Sequence, residues 1–138
     1  MEIKRFHSDY LEVLRKLYLE SRIATFTWLE NSNFKLKDFD HDSEGEQIWI
    51  AIELGEVVGF ISIWEPDSFI HHLFVSPNCL RCGVGSKLLD ISKQNYSELS
   101  LKCSVANENA LGFYYSKGFR IASTVDGGVD SYHLMKSV

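Results

Sequence analysis

Ile70 to Asp90 reads IHHLFVSPNCLRCGVGSKLLD, and Ser104 to Phe119 reads SVANENALGFYYSKGF. The first stretch begins as a strand, breaks at Ser76-Pro77, and opens a helix at Gly83-Val84-Gly85, with Val84, Leu88, Leu89 and Ile91 along one side. The second runs from a strand end through Asn107 into a short helix that Gly118 stops as a C′ residue. The first amides of a helix have no intrahelical partner and carry the positive end of its dipole. Such a turn is an anion site suited to phosphate or pyrophosphate, and glycines there let a ligand approach the backbone closely. It is not the dinucleotide fingerprint, because Leu88 stands where the third glycine belongs, and it is not a Walker loop.

Outward from these blocks the pattern continues. Glu2 to Phe6 suits a short strand, and Ser8 can cap a helix with Leu11, Leu14, Leu17 and Tyr18 at helical spacing. Residues 31 to 46 suit a loop with a short helix. Ile48, Ile50, Ile52 and Leu54 alternate along a strand that turns at Gly55-Glu56, glycine first, as in a type II′ hairpin returning over Val57 to Trp64. Phe69 to Val75 and Leu99 to Ala106 are further strands, able to lie parallel through a right-handed crossover. Strands near Phe119 to Val125 and Tyr132 to Met135 close the chain. The expected fold is α/β, a mixed, mostly antiparallel central sheet flanked by helices, in a single domain over residues 1–138.

The chain has 138 residues and a formal net charge of -5, with scattered Lys and Arg. No basic footprint for nucleic acid is present in that pattern. No apolar run approaches a membrane span, and the polar start lacks a signal h-region. Three cysteines form no disulfide framework, so a cytoplasmic setting with free thiols is expected. Cys79-Leu80-Arg81-Cys82 is a C-x-x-C without the second pair that a structural zinc site wants, so no metal is expected.

The two blocks together resemble the central motifs of the GCN5-related N-acetyltransferase (GNAT) superfamily. Its Q/R-x-x-G-x-G/A motif, after a strand ending in V-x-P, is matched by Leu80 to Gly85 after Val75-Ser76-Pro77. Its N-x-x-A-x-x-F-Y-x-x-x-G-F motif is matched at Asn107, Ala110, Phe113, Tyr114, Gly118 and Phe119. The resemblance implies acetyl-coenzyme A as donor and a primary amine of a small molecule or peptide as acceptor, joined by direct attack in a ternary complex. It assigns the pantetheine arm to backbone groups of Leu73, Phe74 and Val75. It assigns the pyrophosphate to amides of Arg81, Cys82, Gly83, Val84, Gly85 and Ser86, and a coenzyme contact to Asn107. Tyr114 is then the acid near the sulfur. Two departures stand out: Leu80 replaces the usual Gln or Arg, and His71 and His72 occupy the strand where some members carry a Glu base.

Acetyl transfer sets two proton problems. A lysine-like amine is only roughly one part in two thousand neutral at pH 7, and the leaving thiolate gains from a donor such as Tyr114. A backbone N–H near Leu73 or Phe74 can hold the oxyanion. His71 and His72 alternate in direction, so one can face the acceptor; His72 is the candidate base, with His71, Glu65 and Asp67 as alternatives. The resemblance implies that the segment from Thr25 to Gln47 helps wall the acceptor site; Phe26, Trp28, Phe34 and Phe39 among several acids there suggest a partly aromatic, mildly acidic cleft. The competing functions are a non-catalytic acyl-coenzyme A sensor and a redox or metal protein built on the C-x-x-C. A homodimer is left open.

Overall fold

The computed structural model describes residues 1–27, 33–79 and 82–137. Its elements are β1 (Glu2–Arg5), α1 (Leu11–Thr25), α2 (Asp38–Asp42), β2 (Gln47–Glu53), β3 (Glu56–Trp64), β4 (Phe69–Val75), α3 (Val84–Asn95), β5 (Ser100–Ser104), α4 (Glu108–Ser116), β6 (Phe119–Val125) and β7 (Tyr132–Ser137). The strands form one seven-stranded sheet in the order β1-β2-β3-β4-β5-β7-β6. Every neighbouring pair is antiparallel except β4 and β5, which are parallel across the α3 crossover.

The alternation of β2 explains the layering. Ile48 and Ile50 point to one face, where they join Leu14, Leu17, Tyr18, Phe39 and Phe60 under α1 and α2. Trp49 and Ala51 point to the other, where they join Ile61, Leu88, Leu89, Leu101, Phe119 and Met135 beneath α3 and α4. The sheet is therefore apolar on both faces at its centre, as expected of a strand layer covered by helices on both sides. Gly59 fixes how closely α3 sits: a Cβ there would lie 2.8 Å from Val84 Cγ1 and 3.0 Å from the Phe74 carbonyl oxygen.

Three local expectations change. The hairpin turns at Leu54-Gly55, not Gly55-Glu56, since Glu53 pairs with Glu56 and both central residues have positive φ, 51° and 81°. That is the type I′ pattern, whose twist matches the flanking strands. Leu54 thus leaves the β2 face and stands 96 % exposed. Ser8 does not cap α1; it enters a 3-10 turn at residues 8–10 whose cap is the His7 ring, accepting from Asp9 N–H at 3.2 Å. Last, β4 carries a bulge. Ser62 pairs with His72 and Ile63 with Ile70, so His71 is the extra residue.

Two stability changes follow. Leu54→Asn removes much of the left-handed backbone cost of a branched residue and should stabilise by about 0.5–1 kcal/mol. Gly59→Ala should overpack the α3 contact and cost about 1–3 kcal/mol. Urea unfolding of both variants beside the parent checks the opposite signs.

Candidate active site

β4 and β5 are paired only at Phe69 with Ser100 and at Ile70 with Leu101. Beyond Ile70 they part, and a cleft of ≈ 940 Å³ opens between them. Which backbone groups face it follows from the β3 ladder. The Ser76 N–H donates to the Val58 carbonyl at 2.8 Å. Hydrogen-bonded positions recur at every second residue of an antiparallel pair, so Phe74 and His72 also face β3. Leu73 and Val75 direct their amides and carbonyls away from β3, toward the gap. The Val75 carbonyl accepts from Ser21 Oγ of α1 at 3.3 Å. Of the two amides expected to be able to hold an oxyanion, that of Leu73 faces the gap and that of Phe74 faces β3.

The N-terminus of α3 closes one end of the cleft. Gly83 is its N-cap, with φ 80°, a conformation that glycine adopts without cost. The first backbone bond that closes this helix runs from Lys87 N–H to the Gly83 carbonyl, at 3.1 Å. The amides of Val84, Gly85 and Ser86 precede it and have no helical acceptor. Gly83, Val84, Gly85 and Ser86 all line the cleft. A Cβ on Gly85 would meet only Phe113 and Val75, at 3.4 and 3.7 Å. The glycine is therefore not required by packing. Leu80 and Arg81 lie outside the described residues, and Cys82 is exposed.

α4 supplies the opposite wall. Asn107 Oδ1 accepts from Ala110 N–H at 3.2 Å and caps the helix, while its amide group meets no protein partner among the described residues. Phe113 and Tyr114 line the cleft, their rings 5.3 Å apart, with Tyr114 also 5.7 Å from Phe119. Tyr115 lies outside the cleft, exposed, with the Arg120 guanidinium over its ring. Burial, and secondarily Cys103, push the Tyr114 phenol above its ordinary value. The phenol therefore keeps its proton at physiological pH.

On the α1–α2 side the two histidines do not alternate. The bulge breaks the period of two, and both rings lie on one face, 4.0 Å apart. Both sit against Glu46, in the loop after α2. Glu46 Oε2 lies 2.6 Å from His71 Nδ1 and Oε1 lies 3.6 Å from His72 Nδ1. The Glu46 side chain is 4 % exposed, and its Oε1 has no hydrogen bond. Burial works to raise the Glu46 carboxyl, but the hydrogen bond with His71 and the nearby His72 and Ser62 prevail and bring it down to about 2.

His72, the candidate base, has both ring nitrogens engaged. Nδ1 meets Ser62 Oγ at 2.8 Å, and Nε2 meets Tyr18 Oη at 3.3 Å. Tyr18 in turn donates to Asp42 at 2.6 Å. Burial lowers the His72 pKa and keeps it neutral. The ring is thus a buried structural link with no lone pair free for an acceptor.

The acceptor wall is also different in detail. Phe26 lines the cleft and packs on Phe74, but Phe39 is 2 % exposed and belongs to the core. Phe34 lies under the Arg22 guanidinium, which also stacks on Tyr18 and pairs with Asp38 at 3.1 Å. Trp28 is outside the described residues. Glu65 is occupied by the Tyr96 hydroxyl at 2.8 Å, whereas Asp67 lines a second, acidic groove. The cysteines are free thiols. Among the described residues, the one place where three His, Cys, Asp or Glu side chains come close together is Glu46, His71 and His72, not the C-x-x-C.

The parted parallel pair and the open helix N-terminus form a cleft suited to an anionic ligand, and comparison with known proteins identifies the family. The model of the acetyltransferase (GNAT) family matches residues 11–119. The chain is 32% identical to the peptidyl-lysine N-acetyltransferase YjaB of Escherichia coli over 140 residues, covering 98% of this chain and 94% of YjaB. It is 36% identical to the peptidyl-lysine N-acetyltransferase YiaC of Escherichia coli over 75 residues, 54% of this chain and 51% of that one, about half the relative's length. The fold matches that of the PaiA N-acetyltransferase of Thermoplasma acidophilum, solved in complex with coenzyme A, at a TM-score of 0.78 and 19% identity, covering 99% of this chain and 97% of that one. The chain belongs to the GNAT family of acetyltransferases.

Gly85→Asp tests the α3 turn. Its Cβ has room, but its carboxylate faces the same amides as a bound phosphate and repels it. Calorimetric titration should show acetyl-coenzyme A binding to the parent and none to the variant, with both equally folded by circular dichroism. Equal affinity would make the turn purely structural.

Proposed function

We propose that this chain transfers the acetyl group of acetyl-coenzyme A to a primary amine, by direct attack of the amine on the thioester in a ternary complex. The observation that carries the reading is the juxtaposition of the Leu73 amide, free of the β-ladder, with the α3 N-terminus and Tyr114 in one cleft. The amides of Val84, Gly85 and Ser86 suit the pyrophosphate, and the edge of β4 suits the pantetheine amides. The Asn107 amide group adds one polar contact. The Leu73 N–H is placed to bind the oxygen of a tetrahedral intermediate. Tyr114 donates to the departing thiolate.

A peptide lysine is the acceptor favoured by the names of YjaB and YiaC. A small amine is the alternative acceptor. The acidic groove lined by Asp42, Glu44, Glu46 and Asp67 supports a cationic substrate of either kind. Among the described residues no helix is long and apolar enough to cross a membrane. Incubation with acetyl-coenzyme A and a panel of lysine peptides, polyamines and amino acids tests the reading by release of free thiol. Tight coenzyme binding without turnover of any amine would leave a sensor module instead.

Tyr114→Phe removes one hydroxyl and keeps the ring packed on Phe113 and Phe119. A positioned general acid is worth about 10²–10⁴ in rate, so kcat should fall by that factor with coenzyme affinity unchanged. Tyr115→Phe, on the outer face of α4, should cost little. Steady-state rates for the two variants, under conditions where chemistry is limiting, decide whether Tyr114 is a donor or only a packing residue.

A further inference from the structure

We propose that His71, held by Glu46, is the base that takes the proton from the acceptor ammonium. The proposal rests on the acetyltransfer reading and goes beyond it by naming the proton acceptor. Glu46 is a positioning residue: it touches His71, not the substrate.

The geometry supports this in three ways. A carboxylate only accepts, so Glu46 Oε2 at 2.6 Å fixes the proton of His71 on Nδ1. That leaves the lone pair on Nε2, which meets no protein group among the described residues. The ring is 47 % exposed, while its carboxylate partner is 4 % exposed, so the pair joins a dry anchor to a wet tip. His71 also stands where two cavities meet. It lines the main cleft and the ≈ 650 Å³ acidic groove. A cation drawn along that groove reaches His71 before the cleft. From His71 to Leu73 is two residues, or roughly 6–7 Å along the strand, a span that the ammonium group and one water can fill.

The protons balance. The ammonium gives one proton to Nε2, and the imidazolium later releases it to solvent. The neutral amine forms the C–N bond while the carbonyl electron pair moves to oxygen beside the Leu73 amide. Collapse breaks the C–S bond, and the thiolate takes the Tyr114 proton. The proton still on the amide nitrogen returns to the tyrosine oxygen.

The titratable and charged groups facing His71 come from every side: Glu46 from the loop after α2, Asp42 from α2, neutral His72 from β4 and Lys102 from β5, with Glu44 and Asp67 on the groove rim. The Glu46 hydrogen bond, against a smaller opposing effect of burial, raises the His71 pKa above 6.5. Neutral His71 therefore becomes more abundant as pH rises through that raised value, and the rate rises with it.

The test uses an acetyl-capped lysine peptide and acetyl-coenzyme A across about pH 6 to 9. His71→Gln, at an exposed ring, should lower kcat/KM by about 10²–10⁴-fold with unchanged coenzyme affinity. Free imidazole should restore part of the rate to His71→Gly. Glu46→Gln should move the rising limb of the profile to lower pH. Long-range proton–nitrogen spectra should show neutral His71 with its proton on Nδ1, a readout independent of turnover. The three ligand atoms of Glu46, His71 and His72 lie within 4.8 Å of one another, so EDTA is a required arm, and it should leave the parent rate unchanged. Wild-type rate and profile in His71→Gln, a proton on Nε2, or EDTA inactivation reversed by zinc would each overturn the assignment. Wild-type turnover that ignores His71 sinks this proposal alone, whereas no turnover by the parent with any amine sinks the acetyltransfer reading and the base with it.

Discussion

The bulge at His71 is the constraint on which the site depends. β4 pairs with β5 up to Ile70, and the next residue is the extra one. A bulge bends its strand and increases the local twist. Here it falls where the parallel pair ends, so the bend turns β4 away from β5 while β4 keeps its ladder with β3. One inserted residue thus accounts for the gap between the strands, for the backbone groups of Leu73 left without a strand partner, and for two adjacent histidines on one face.

The gap is useful only if something anionic can be held beside it, and that depends on how α3 is seated. Gly59 lacks a Cβ where Val84 and the Phe74 carbonyl approach, which brings the first turn of α3 against β3 and β4. Gly83 then enters the helix through the left-handed region. Neither glycine touches a ligand through a side chain. Together they fix where the free amides of the helix lie relative to the parted strands. Amides pre-positioned in this way suit a standing anion such as a phosphate without reorganisation.

How far the sequence announces this differs by element. The strand–turn–helix at Ile70 to Asp90 and the Asn107 to Gly118 helix are legible because each is punctuated by glycine and carries helical apolar spacing. The mixed sheet and the family follow from them. Tyr114 and Tyr115 separate because adjacent helical residues face different ways. The bulge is not legible: an I-H-H-L run shows no Gly or Asn to mark it, and strict alternation then places the histidines on opposite faces. Glu46 is hidden for a related reason. It follows Gly45 in a polar segment that reads as solvated loop, yet the return into β2 buries its carboxylate. Tyr18 and Arg22 share one face of α1, and their spacing reads as ordinary core and rim. Only the tertiary partners, Asp42, His72 and Asp38, show that this face is wired to the cleft.

The two ends of the cleft then differ in the way proton chemistry requires. Tyr114 sits among Phe113, Phe119 and Cys103, where burial opposes the phenolate and itself pushes the Cys103 thiol up to about 11. A group in that position keeps its proton at neutral pH and is available to hydrogen-bond a thiolate that leaves a tetrahedral centre beside it. His71, by contrast, is half exposed, its charged form supported by a carboxylate that is itself out of solvent. Proton donor and proton acceptor are therefore separated by environment more than by residue type, the arrangement by which one pocket runs acid and base steps at the same pH. The Leu73 amide lies between them on the rigid edge of β4. The same strand thus sets the distance between the His71 ring and the Leu73 amide, and the bulge that frees this edge also orients the ring.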